Sequence, residues 1–218
     1  MTSADTTEAA PERGAAAEIL SRRRMFLVLA ALLAEIGLFA AGLLTPLPDA
    51  TRQALANQAS SQFGGVQNRS AVQLVGFIFS HNAAIAIPEM IPVLGALLFV
   101  VSVFSTGLAA QALVASQGLP ASWGALIFAF PYTVVELTAY AVALVSGFML
   151  LVAWRKKRLR RELKFFALEG LGVLAILVVA ATMEVITVKV SPASGFALWL
   201  PTGLALAGVL VFAGRRWE

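Results

Sequence analysis

The feature that most constrains this chain is a series of apolar runs, several of them long enough to cross a bilayer and nearly free of charge inside. A helix rising about 1.5 Å per residue needs roughly 20 apolar residues to cross a hydrocarbon core about 30 Å thick. With 59% hydrophobic and 13% charged residues over 218 positions, the chain carries more apolar surface than one soluble core can hide. The sequence therefore reads as an all-α integral membrane protein, a bundle of about six transmembrane helices. Residues 21–218 form one transmembrane helical domain, and the polar, Ala-rich stretch 1–20 reads as a disordered tail.

The spans follow from run length and breakers. Span one covers about 25–44 and stops at Thr45-Pro46-Leu47-Pro48, where two prolines end the helix. A polar stretch, 49–70, follows, with room for a short surface helix before Gly64-Gly65. Span two covers about 71–87 and runs into a Pro-flanked turn at 88–92. That turn is either a tight interfacial turn or a helix break inside the membrane, tolerated only where protein or water covers the backbone. Pro88 and Pro92 are candidate hinges there.

Span three, about 93–115, carries Ser102, Ser105, Thr106, Gly107, Ala109 and Ala110, small residues that let helices approach closely. Span four, about 123–154, is longer than a crossing requires. It is expected to be kinked or broken near Pro131, a third candidate hinge, or to begin there after a re-entrant stretch. Span five covers about 165–188, with Lys189 placed to snorkel. Span six covers about 196–213, with Pro201 in its first turns.

Charge fixes the orientation expected for these spans. The run Arg155, Lys156, Lys157, Arg158, Arg160, Arg161 is a basic loop that belongs on the cytoplasmic side. Six crossings place it on the same side as Arg22-Arg23-Arg24 and Arg215-Arg216, so both termini are expected in the cytoplasm of a multi-pass cell-membrane protein. The net charge of +4 sits at membrane edges and does not point to nucleic acid. The absence of cysteine excludes disulfides and thiolate metal sites, and a single histidine excludes a His-rich centre. Neither a zincin motif, a nucleophile elbow nor a P-loop is present, so no metal, no cofactor and no enzymatic activity are expected.

Polar residues inside spans are costly and each needs a reason. Tyr132, Glu136 and Tyr140 share one face of span four at i, i+4 and i+8. Glu136 reads either as a proton-titrating or substrate-contacting carboxylate, or as a hydrogen-bonded group locking two helices. His81 and Asn82 are adjacent and point about 100° apart, so they are not expected to face one small site without a helix irregularity. Glu184 lies deep in span five, where it could meet Glu136 or Asn82. Glu35, Gly37 and Ala41 mark a candidate helix-contact or oligomer face of span one. Glu89 reads as a hydrated turn residue, and Glu169 as interfacial.

Three segments carry a resemblance. They are Phe77–Ile87 (FIFSHNAAIAI) with Asn82, the Pro131-Tyr132-Thr133-Val134-Val135-Glu136 segment, and Ala181-Thr182-Met183-Glu184. In order and spacing over about 71–190 the chain resembles the stage II sporulation protein M family, which carries an Asn in an early span, a Pro-x-x-x-x-Glu later, and often an acid after the basic loop. Tyr132 stands where the family commonly has His, and Thr106-Gly107 where it often has Asn-Gly. The resemblance implies a membrane scaffold. In sporulating bacteria such a protein assembles with peptidoglycan-degrading partners during engulfment, with no assigned reaction.

Together these readings favour a non-enzymatic scaffold or complex subunit, working with lipid, with copies of itself or with other membrane proteins. Its polar core would hold Asn82, Glu136, Glu184, His81, Tyr132 and Tyr140. The alternative is a transporter or permease-like subunit in which the same residues line a path.

Overall fold

The computed structural model describes residues 20–62, 65 and 68–217. The expected disordered tail therefore falls almost wholly outside the described residues. Among those described there are helices and no strand. They are α1 (Arg22–Leu44), α2 (Asp49–Gln62), α3 (Ala71–Glu89), α4 (Leu94–Ser116), a 3-10 segment (Ala121–Ala129), α5 (Pro131–Arg155), α6 (Leu159–Lys189), α7 (Pro192–Ala197) and α8 (Trp199–Trp217). Six stretches are long and apolar enough to cross a membrane: α1, α3, α4, α5, α6 and the Pro192–Arg215 stretch.

Local sequence explains where these helices begin. Ser70 caps α3 by accepting from the Gln73 N–H, while the Gln73 side chain accepts from the Ser70 N–H, a reciprocal capping box. Pro131 occupies the first turn of α5, where its missing N–H costs nothing. Span four is thus not one long kinked helix. The chain runs as 3-10 through Trp123 and Ile127, turns extended at Phe130, and starts the α-helix at Pro131. Thr133 Oγ1 donates to the Ile127 carbonyl at 2.8 Å and fastens that junction.

The basic run divides in a similar way. Lys156 and Lys157 lie in the turn, with Lys157 in the left-handed region (φ 56), while Arg160 and Arg161 already lie on α6.

The helices pack as α5 on α6, α1 on α4, α3 on α6 and α1 on α5, with α2 lying against α4. The core gathers Phe39, Leu43, Phe99, Val103, Val173 and Leu177. The α1–α4 crossing is set by glycines. A Cβ on Gly107 would run into the Phe39 carbonyl, and one on Gly42 into the Phe104 carbonyl. The small surface expected on span three is therefore used, at Gly107, against α1.

The turn between α3 and α4 packs against the bundle through Glu89 and Met90, while Ile91 and Val93 are exposed. Pro88 falls within the last turn of α3, and the reversal itself uses residues 90–93, with Val93 in the left-handed region (φ 68). A β-branched residue there is a strained outlier. Met90 packs against Gly147 of α5 and Gly170 of α6. Those glycines lie about 12 and 16 Å along their helices from Arg155 and Leu159, at 1.5 Å per residue. The reversal therefore sits well short of the end of the bundle that carries the basic loop. Glu89 at its start is 1% exposed and accepts from Ser102 Oγ at 2.9 Å, so it is a buried, bonded residue and not a hydrated one. Because α3 and α4 enter and leave at the same end, this depth leaves the count of crossings by the rest of the chain unchanged.

Candidate functional site

The polar residues singled out in the spans converge. Asn82, Glu136, Glu184, His81, Tyr132 and Tyr140 all line one cavity of about 220 Å³. They arrive from three helices, α3, α5 and α6. On α5 the i, i+4, i+8 spacing stacks Tyr132, Glu136 and Tyr140 in one row. On α3 the adjacent pair borders the same space from two directions: Asn82 is 5% exposed and His81 stands on the exposed side. The cavity is wide enough for both, so no helix irregularity is needed. On α6, Glu184 meets the cavity about one and a half turns before the helix ends at Lys189.

Within this lining Glu136 is the bonded centre. Tyr140 Oη donates to Glu136 Oε1 at 2.9 Å, and the Asn82 side chain also hydrogen-bonds Glu136. Asn82 and Glu136 thereby tie α3 to α5. Glu184 lies within electrostatic reach of Glu136. Five helices thus supply the cavity's polar groups, because Ser102 and Thr106 of α4 and Glu35 of α1 also line it.

Glu35 was placed by its neighbours on a helix-contact face with Gly37 and Ala41, and the structure separates them. Gly37 and Ala41 point outwards, and a Cβ on Gly37 would meet nothing within 4 Å. Both are exposed among the described residues. Glu35 points the other way, is 0% exposed, and lines the cavity beside Phe39. Among the described residues, neither of its carboxylate oxygens has a hydrogen-bond partner. The small residues dominated the sequence pattern of α1, whereas the buried face runs through Ala31, Glu35, Phe39 and Gly42. That spacing of three and four residues was the signal that could have found it.

The candidate hinges differ in setting. Pro131 is buried at the head of α5, beside the cavity, while Pro88 and Pro92 are half-buried at the α3–α4 reversal.

A second polar cluster was not foreseen. The Arg24 guanidinium, 2% exposed, donates to both Glu162 and Glu169, and Ser146 Oγ donates to Glu169 Oε2 at 2.8 Å. Glu169 is therefore a buried ion-pair partner. The cluster ties the start of α1 to the start of α6. It puts Arg22-Arg23-Arg24 and the basic run at one end of the bundle.

An apolar groove of about 370 Å³ lies beside the α3–α4 reversal, lined by Leu27, Ala31, Glu89, Pro92, Leu144 and Phe148, among others. Among the described residues, no three His, Asp or Glu side chains stand close enough together to hold a metal ion.

No curated protein and no solved structure matches the chain. The stage II sporulation protein M family matches residues 25–187, a stretch that contains the whole cavity lining and nearly all of five of the six spans and begins just after Arg24, and the chain belongs to that family.

Proposed function

We propose that this multi-pass membrane protein is a non-enzymatic scaffold, a subunit of a membrane complex with copies of itself or other membrane proteins. Its place is the cell membrane, with both termini in the cytoplasm. The observation that carries the reading is the packing of the last span. Only 11% of its most apolar window is buried, against 28–44% in the other five spans. Its head is tethered, where Trp199 Nε1 donates to the Ala129 carbonyl at 2.8 Å and Phe196 packs on Phe130 with ring centroids 4.8 Å apart, and Ala213 near its other end is also buried. Between these ends, Leu204, Leu210 and Val211 are left open. This span also lies beyond the family match, which ends at residue 187. A helix that the bundle does not need for its own core is available to pack on a neighbour in the bilayer.

Truncation tests this reading. A chain ending at Val190 should keep its folded five-span bundle, read by its thermal transition in detergent. It should also lose the higher-mass species that the full chain forms in native membranes. An unchanged mass distribution would count against the scaffold.

A transporter or permease-like subunit is the second reading, and the cavity is the observation that favours it. A cavity supplies a binding place, and a path across the membrane is a further requirement. In this reading Glu136→Gln stops flux through a folded protein.

A further inference from the structure

The cavity has a chemistry that points to a ligand. We propose that it binds a small organic cation, a protonated amine. The inference goes beyond the scaffold reading and does not depend on it. Sign is the first argument. Glu35, Glu136 and Glu184 border the space, and among the described residues lining it there is no Lys or Arg.

An open acceptor is the second. Glu136 has its partners in Tyr140 and Asn82, whereas both oxygens of the fully buried Glu35 lack one among the described residues. Buried acceptors without donors are costly, and a carboxylate can be satisfied only by something that donates. An ammonium brings three N–H donors together with the opposite charge.

Size and dispersion choose among cations. The acids do not converge as a metal shell would, and a volume of about 220 Å³ exceeds what a bare ion fills. Beside the neutral polar groups of Asn82, Ser102 and Thr106, much of the wall is apolar and aromatic, with Phe39, Phe77 and Phe128 around the acids. Such rings receive an alkyl chain and attract an ammonium through their faces. An anion would meet three carboxylates, and a polyol would bury hydroxyls against phenyl rings.

The test is equilibrium binding of butane-1,4-diamine to the full chain in nanodiscs of neutral lipid, with potassium chloride and butan-1-ol as comparison probes. The expected result is saturable binding of the diamine that raises the thermal midpoint of unfolding, with neither comparison probe doing so. Glu35→Gln, which keeps shape and removes charge, should weaken diamine binding roughly tenfold or more, as loss of one partner of a buried charge pair does. Gly37→Ala, on the outward face of the same helix, should leave it unchanged. Binding unaffected by Glu35→Gln would overturn the proposal. So would equal stabilisation by butan-1-ol or potassium chloride, or no saturable binding to a protein whose thermal transition is intact.

Discussion

Arg24 is the residue whose role chain order hides most completely. Within Arg22-Arg23-Arg24 it looks like one of three equivalent topology charges, yet Arg22 and Arg23 are exposed and Arg24 is buried between two carboxylates on α6. The partners lie 138 and 145 positions away, so no local pattern announces them. Replacing Arg24 by Leu leaves Glu162 and Glu169 buried without their counter-charge. The expected loss is about 3–5 kcal/mol, read from denaturant unfolding in detergent, whereas Arg23→Leu should cost under about 0.5 kcal/mol. Glu136 behaved differently. Its face was legible because Tyr132 and Tyr140 mark it at helical spacing, and its partner Asn82 was already a candidate. Glu136→Gln retains an acceptor for Tyr140. Glu136→Leu strands the Tyr140 hydroxyl and the Asn82 amide, and the expected loss is about 1–3 kcal/mol greater than that of Glu136→Gln in the same unfolding measurement.

At the scale of elements, run length and proline placement read well, while the details of breaks did not. α1, α4 and α6 start or end within a few residues of their apolar runs, apart from the extra turns that α6 gains at its charged start, because hydrophobicity alone sets those bounds. The stretch before Pro131 is as apolar as the helix after it, so composition could not separate a 3-10 segment from α-helix. The α3–α4 reversal was marked by Pro88 and Pro92, but its left-handed residue is Val93, a residue type that gives no sign of such a conformation. Close approach was partly legible. Gly107 belongs to the small-residue surface expected on span three, and Gly42, which it meets, was not singled out on span one. Gly107→Leu would force α1 and α4 apart, with an expected cost of about 1–3 kcal/mol. Gly37→Leu, facing outwards, should leave the unfolding midpoint in place. A matching loss at Gly37 would mean that the crossing is not where α1 is held.

At the scale of the molecule, two polar layers organise the bundle. The Arg24 cluster fastens α1 to α6 at the end bearing the basic residues, and the Asn82–Glu136–Tyr140 group fastens α3 to α5 beside the cavity. The α3–α4 reversal packs between α5 and α6 at Gly147 and Gly170, next to Ser146 and Glu169 of the first layer. The first five spans are packed into this bundle, with 28–44% of each most apolar window buried, whereas the sixth has 11%. Its hydropathy lies within the range of the others, so hydropathy alone does not distinguish it.

The absence of cysteine from the sequence makes the decisive measurement direct: single cysteines at Leu204 and Leu210 on the last span, compared with Leu171 on α6, cross-linked in native membranes. All three positions are exposed in the isolated chain, at 67%, 59% and 66%. The account predicts defined, position-specific protein cross-links from 204 and 210 and none from 171. Uniformly absent or uniformly diffuse cross-linking at all three would mean that the last span faces lipid like the others, and would contradict the scaffold.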